Sequence, residues 1–151
     1  MFEKYSETAR RAILFSRREA GKSGAAAIDT VHLLLGLLRE DEAGFKRLTG
    51  MPDLSSMVRA KVKSPLGNQY KVPQSVDLPI ATEYQEVLLQ AADEAAALSS
   101  VDIKPQHLLL AILHVKECLA ANILVNIGLT YEAIREAIAE DPHQTASGGN
   151  E

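Results

Sequence analysis

Two histidines, His32 and His107, are the residues whose type and setting first suggest chemistry. Each stands directly before a run of leucines, and a shift of 75 residues superimposes one histidine and its leucine run on the other. An imidazole can ligate a metal or move a proton near neutral pH. A zinc site needs three or four ligands, however, and the close sequence neighbours of both histidines are leucines. We therefore expect both to be structural residues at helix starts, with a pH-sensitive or partner-contacting role, or a metal site, as the alternatives.

Other signatures of catalysis are incomplete in this sequence. Gly21-Lys22-Ser23 supplies only the end of a phosphate-binding G-x-x-x-x-G-K-[ST] loop, with Ser16 where the first glycine should stand. Cys118 is the single cysteine, so no disulfide can form within the chain, and we expect it to be a small buried residue. No Ser, His and acid arrangement has a nucleophile-elbow context. The sequence therefore predicts no enzyme, no cofactor and no metal.

Charge and hydropathy bear on the class of partner. The chain of 151 residues has a net charge of −4, which argues against nucleic acid because phosphate binding needs a basic surface. No run of about 18 apolar residues and no amino-terminal signal segment is present, so we expect no membrane partner and a cytoplasmic location. The arginines that crowd the first helix are either a solvated face or a docking surface for an acidic or phosphorylated segment.

The elements that position these residues are predicted to be helices. Apolar residues recur at helical spacing in both halves, and no stretch alternates apolar and polar residues as a strand would. The same shift also superimposes Glu19 on Glu94 and Ile28 on Ile103, which indicates an internal duplication. We predict an all-α fold of eight helices, arranged as two four-helix repeats related by a pseudo-twofold axis, with the two His-Leu-Leu-Leu helices at its centre. The predicted segments are repeat 1 at 1–62, a linker at 63–79, repeat 2 at 80–142 and a disordered tail at 143–151.

Polar residues and glycine mark several helix ends. Ser6, Thr30 and Thr130 each stand where a side chain could cap a helix. Thr82-Glu83-Tyr84-Gln85 has the T-x-x-Q form of a capping box, in which two side chains satisfy each other's backbone amides. Gly128 is predicted to end the seventh helix in a left-handed conformation.

Several stretches carry a resemblance to a known family. Met1 to Ile13 is similar to the pattern M-F-x-[RK]-[FY]-[ST]-x-x-A-[RK]-x-[VA]-[IL], and Thr30 to Leu38 resembles G-T-E-H-[IL]-L-L-G-L-[IL]. The second pattern returns at His107 to Leu113, and Glu19-Ala20 and Ile127-Gly128-Leu129 match as well. These are features of the repeated N-terminal domain of Clp ATPases, especially the ClpA/ClpC branch of AAA+ chaperones. The resemblance covers the chain from Met1 to about Glu140, without the ATPase modules.

The resemblance implies a double-repeat module that binds adaptors and substrate segments and passes them to an AAA+ unfoldase, without catalysis of its own. The alternative is a free-standing accessory protein that docks on the Clp protease complex and stabilises it. The expected partners are Clp ATPase or protease subunits, adaptors and substrate proteins, and the chain is expected to be a monomer or weak dimer. The expected partner-binding residues, on the face formed by helix 1 and the start of helix 5, are Phe2, Tyr5, Arg10, Ile80 and Tyr84.

Two positions depart from the family pattern. In ClpC-type domains the Glu of each G-T-E-H segment helps to read phosphorylated arginine, and the residues at these positions here are Val31 and Gln106. Neither can offer a carboxylate to a guanidinium group, so charge-assisted hydrogen bonds are lost. We expect phosphoarginine recognition to be lost with them.

Overall fold

The computed structural model describes residues 4–62 and 78–140, which form eight helices and no strand. In chain order the helices are α1 (Glu7–Lys22), α2 (Thr30–Glu40), α3 (Glu42–Thr49), α4 (Leu54–Val62), α5 (Thr82–Ala97), α6 (Pro105–His114), α7 (Leu119–Ile127) and α8 (Tyr131–Glu140). The prediction of an all-α fold with four helices in each half is confirmed. Phe2, most of the predicted linker (63–77) and the predicted tail (143–151) lie outside the described residues.

Backbone hydrogen bonds between the repeats come in pairs related by the 75-residue shift. The amide of Ser6 donates to the carbonyl of Ile103 at 2.9 Å, and the amide of Ala81 donates to the carbonyl of Ile28 at 3.0 Å. The amides of Ile103 and Ile28 form a second related pair of hydrogen bonds. They donate to backbone carbonyl groups in the segments before α1 and α5, at 2.7 and 2.8 Å respectively. Each repeat therefore pairs the segment before its first helix with the loop before the other repeat's second helix. This exchange is what a pseudo-twofold axis between the repeats requires.

The two leucine-rich helices are the centre of the core. All residues of 33–38 in α2 and 108–113 in α6 are buried, as expected for helices that are apolar nearly all round. The contact between α1 and α2 is close because Gly36 has no side chain, and a Cβ built there would overlap the carbonyl oxygen of Ala12. The residue equivalent to Gly36 in the second repeat is Ala111, so this close approach belongs to the first repeat.

Two of the predicted helix caps are wrong. Asp29, not Thr30, caps α2, because the Asp29 carboxylate accepts from the Thr30 amide at 2.7 Å. The Thr30 hydroxyl instead accepts from the amide of Ala120 in the other repeat, at 3.2 Å. The capping box at Thr82 is absent because Ala81, held extended by its bond to the other repeat, is already the N-cap residue of α5. A contact between the repeats therefore decides the start of α5, whereas the start of α2 is set by the local cap Asp29.

The other predicted ends agree with the structure. The Ser6 hydroxyl accepts from the amide of Ala9 at 3.1 Å at the start of α1, and the Thr130 hydroxyl accepts from the amide of Ala133 at 3.2 Å before α8. Gly128 ends α7 with a φ of 113°, in the left-handed region that favours glycine.

Candidate functional site

An apolar groove of about 380 Å³ opens between α1 and the segment that precedes α5. It lies beside the parallel bridge between Ile28 and Ile80, so both repeats contribute to it. Its lining residues are Arg10, Ile13, Leu14, Ser16, Arg17, Ile28, Leu78, Ile80 and Tyr84. Three of the sequence-predicted partner-binding residues, Arg10, Ile80 and Tyr84, are thus brought together in one place.

The floor of the groove is fixed by a hydrogen bond between the two repeats, supported by one within α1. The hydroxyl groups of Tyr84 in α5 and Ser16 in α1 lie 2.8 Å apart, and the Ser16 hydroxyl lies 2.6 Å from the carbonyl oxygen of Ile13. Burial raises the pKa of Tyr84 to about 12, with a smaller contribution from Tyr5, against the opposing hydrogen bond from Ser16. Tyr84 therefore remains a neutral phenol at physiological pH and shapes the floor without offering charge.

The rim of the groove is both apolar and basic. Leu14 is 47% exposed and Ile80 is 40% exposed, which are large fractions for side chains of this type. Arg10 is exposed, and its Nε donates to the carbonyl of Tyr5 at 3.1 Å, which fixes the orientation of the guanidinium group. Tyr5 itself is buried at the bridge between the repeats, where desolvation raises the pKa of its phenol.

Val31 and Gln106 occupy equivalent places, one residue into α2 and α6 respectively. Both are partly exposed, and neither lines the groove. The Val31 side chain packs against the core cluster. The positions that differ from the ClpC-type pattern therefore form surfaces separate from the groove.

The paired histidines complete the helix caps. Nδ1 of His32 accepts from the amide of Asp29 at 2.9 Å, and Nδ1 of His107 accepts from the amide of Lys104 at the same distance. Burial lowers the pKa of His32, and burial followed by the charge of Lys104 lowers the pKa of His107 to about 4. Both rings are therefore neutral near pH 7, in an arrangement suited to a structural histidine.

Metal ligation and the thiol of Cys118 were the remaining chemical possibilities within residues 4–62 and 78–140. No group of three His, Cys, Asp or Glu side chains in these ranges could hold a metal ion. Cys118 is buried and caps α7 with its sulfur, which accepts from the amide of Ala121 at 3.4 Å. Burial is the main cause that raises the pKa of this thiol, so it is a poor nucleophile.

No single helix in the described ranges is long and apolar enough to cross a bilayer. Only α6 and α7 taken together pass on length and composition, and they are bent by 94° relative to each other.

The sequence did not predict that two carboxylates, Glu19 and Glu94, would be buried, although the 75-residue shift superimposes one on the other. Glu19 accepts hydrogen bonds from both terminal nitrogens of Arg59 in α4, at 3.0 and 3.4 Å. Glu94, its equivalent, accepts a hydrogen bond from the hydroxyl of Tyr131 at 2.7 Å and another from the side-chain amide nitrogen Nε2 of Gln90 at 2.9 Å. A glutamate that recurs on the inner side of two equivalent helices was the available signal.

The fold and the groove define the class of protein as an all-helical tandem-repeat module with an apolar surface groove. The sequence matches the family described as the Clp repeat (R) N-terminal domain over residues 4–100 and 80–149. The chain belongs to this family.

Two curated relatives of this chain are much longer than it is. The chain is 28% identical over 141 residues to the negative regulator of genetic competence ClpC/MecB of Bacillus subtilis, covering 93% of this chain and 17% of the relative. It is 31% identical over 154 residues to the chloroplastic chaperone protein ClpC2 of Arabidopsis thaliana, covering 99% of this chain and 16% of the relative. The chain therefore spans about a sixth of the length of these curated relatives.

Solved structures share the fold. The crystal structure of the N-terminal domain of the chaperone ClpD from Arabidopsis thaliana superimposes with a TM-score of 0.73 at 28% identity, covering 91% of this chain and 96% of that one. The Hsp104 N-terminal domain from Candida albicans superimposes with a TM-score of 0.68 at 15% identity, covering 93% of this chain and 92% of that one. At 15% identity the second likeness concerns the fold alone.

Proposed function

We propose that this chain is a non-catalytic docking module of the Clp chaperone–protease system, which holds adaptor or substrate segments for an AAA+ unfoldase. The observation that carries the proposal is the groove beside α1, in a chain that belongs to the Clp N-terminal family. The occupant is a protein segment, because the groove is apolar, open and rimmed by arginine.

The size and chemistry of the groove favour a short peptide stretch. Its volume falls within the range of about 300–1,000 Å³ that is common for binding pockets. Leu14 and Ile80 offer apolar surface to the side chains of such a stretch, and burying that surface would drive association. Arg10, held by its bond to the carbonyl of Tyr5, would pair with an acidic residue or a carboxyl terminus in the segment.

Binding of an unfolded protein tests the groove directly. We would measure the affinity for fluorescently labelled, reduced and carboxymethylated lactalbumin by anisotropy. Leu14→Asp and Ile80→Asp place a charge in the groove, and we expect each to weaken binding about tenfold, because an apolar contact is replaced by a buried charge. Unchanged affinity in both variants would contradict the proposal.

A matched control comes from the pseudo-twofold relation. Leu89 is the equivalent of Leu14 on α5, is 75% exposed and lies outside the groove. Leu89→Asp should therefore leave binding unchanged. Equal losses in the variants at Leu14 and Leu89 would show a general effect of surface charge, and the groove would not be the docking site.

A cross-linking experiment separates docking from the accessory role. A photoreactive amino acid at position 14, with position 89 as the control, would be activated in native cells and the products identified by mass spectrometry. Adaptors, unfolded substrates and Clp ATPase subunits at position 14 support the proposal. Protease-core subunits alone would favour a protein that docks on the Clp protease complex and stabilises it.

A further inference from the structure

A second surface of α1, separate from the groove, carries a cluster of cations around an aromatic ring. Phe15, Arg18 and Lys22 follow one another at helical spacing and therefore share one face of α1. The guanidinium carbon of Arg39, from the last turn of α2, lies 4.5 Å from the centre of the Phe15 ring, and that of Arg18 lies 5.7 Å from it. We call Phe15, Arg18, Lys22 and Arg39 the Phe15 cation cluster.

The positive charge of this cluster is balanced only in part by the described residues around it. Lys22 and Arg39 interact with the charge of one carboxylate, Glu19, and, against the opposing effect of burial, they help to lower its pKa after its hydrogen bond to Arg59. Arg18, Lys22 and Arg39 form no ion pair within residues 4–62 and 78–140. The carboxylate of Glu19 is close to the cluster, but it is buried and its oxygens are bonded to Arg59.

Arg11, two turns earlier on the same face of α1, is different. Arg11 is paired with Glu7 at 3.1 Å and with Glu40 at 2.8 Å. The local excess of positive charge therefore begins beyond Arg11.

The second repeat provides an internal control for what the fold itself requires. Its equivalents of Phe15, Arg18, Lys22 and Arg39 are Gln90, Asp93, Ala97 and His114. The buried carboxylate is kept in both repeats, as Glu19 and Glu94, whereas the cations are not. The equivalent helix pair of the second repeat, α5 and α6, thus forms without these cations, so a helix pair of this type does not require them.

We propose that the Phe15 cation cluster binds a carboxylate-rich peptide segment of a protein partner. Arg39 suits this role because its guanidinium group lies over the Phe15 ring at the protein surface, and a guanidinium group can bind a carboxylate through two hydrogen bonds. Three single charges spread over two helices suit several carboxylates along a chain. A nucleic acid is disfavoured by the net charge of −4.

This proposal does not rest on the groove. Arg10, Leu14 and Arg17 line the groove, whereas the cluster lies on the face of α1 that reaches α2 and α4. The two sites can therefore be tested independently, and one can fail while the other stands.

The probe is a fluorescein-labelled octapeptide of alternating Glu and Asp, with a Gln and Asn octapeptide as the neutral control. In the test variant, Arg18→Asp and Arg39→His introduce the residues that the second repeat carries. We expect binding of the acidic peptide at low ionic strength and a loss of about tenfold in the double variant, because each exposed ion pair contributes a factor of about 1.5 to 5. Added salt should weaken wild-type binding, since exposed charges are screened.

A matched control variant is Lys116→Gln, which removes an exposed cation that belongs neither to the groove nor to the Phe15 cation cluster. It should leave binding of the acidic peptide unchanged while the double variant loses it. Circular dichroism would show that both variants are folded. The proposal is overturned if the double variant binds as well as wild type, if Lys116→Gln causes the same loss, or if the neutral peptide binds equally.

Two other occupants would also overturn the proposal. Inorganic phosphate and unlabelled acidic peptide would each be used to displace the labelled peptide, at equal total concentrations of negative charge. If phosphate displaces it as well as the unlabelled peptide does, the cluster is a simple anion site. If the acidic peptide fails to bind and sedimentation shows that wild type self-associates at low salt while the double variant does not, the occupant is a second copy of this chain.

Discussion

Acidification should destabilise this protein through His107. The ring is fully buried, and its pKa is lowered from 6.5 to about 4, first by burial and then by the charge of Lys104. Between these two pH values the unfolded chain binds more protons than the folded one. The stabilisation due to the neutral ring is therefore fully present above pH 6.5 and is lost as the pH falls toward 4.

The expected size of the effect follows from the pKa shift. Each unit corresponds to about 1.4 kcal/mol, so lowering the pH from 7 to 4.5 should reduce the free energy of unfolding by about 2 to 3 kcal/mol through this one residue. The Nε2 atom of His107 is buried without a hydrogen-bond partner among the described residues, so no acceptor is available there to stabilise an added proton.

His107→Gln isolates this effect. Glutamine at the third helical position is a normal capping-box residue, so its side-chain oxygen can accept from the amide of Lys104 as Nδ1 does now. Unlike imidazole, the side chain does not titrate. Urea unfolding followed by far-UV circular dichroism, at pH values from 7 to 4.5, should show a stability that falls about 2 to 3 kcal/mol less in the variant than in wild type.

The comparison uses the slope with pH, so a constant offset from the exchange itself does not affect the result. His32→Gln should also flatten the pH dependence, because burial lowers the pKa of His32 as well. If the wild-type and His107→Gln curves run parallel across this range, the reasoning from the buried neutral ring is refuted.

Further predictions concern helix packing and ligand chemistry. Gly36→Ala should destabilise the fold by about 1 to 3 kcal/mol in urea unfolding, because the new Cβ would overlap the backbone of Ala12; the converse exchange at its equivalent, Ala111→Gly, should cost about 1 kcal/mol through helix propensity alone. A stabilising Gly36→Ala would show that the two helices can separate freely. In calorimetric titration with a phosphoarginine peptide, wild type should bind weakly, and Val31→Glu with Gln106→Glu should gain about tenfold or more per carboxylate. Low-micromolar binding by wild type would contradict the role assigned to those two positions.

The sequence was sufficient for the elements and their duplication because the relevant signals are local. Helical spacing of apolar residues, the cap at Ser6 and the left-handed Gly128 each depend on a few neighbouring residues. Burial of the leucine runs also followed from sequence, since a helix that is apolar on all sides has to be covered. The 75-residue shift added the pseudo-twofold arrangement, because equivalent sequences fold into equivalent units.

Two helix starts differ from the sequence-based prediction, one of them because a contact between the repeats determines it. Thr30 is a favourable cap by residue type, but its hydroxyl is used by the amide of Ala120 in the other repeat. Ala81 is a poor cap by residue type, yet it is held in place by its bond to Ile28. At α5 a partner distant in sequence therefore overrides the local preference, whereas at α2 the neighbouring Asp29, also a favourable cap by residue type, takes the place predicted for Thr30.

Of the candidate sites, the sequence by itself indicated the residues but not the surfaces. It pointed to the face of Arg10, Ile80 and Tyr84, and tertiary structure decided that these residues enclose a groove with Tyr84 as its buried floor. Likewise, the sequence showed that the first helix is rich in arginine. Only the packing of α2 against α1 distinguished Arg11, which is paired with Glu40, from Arg18, which forms no ion pair in the described ranges, because charge balance depends on which side chains meet in space and not on their order along the chain.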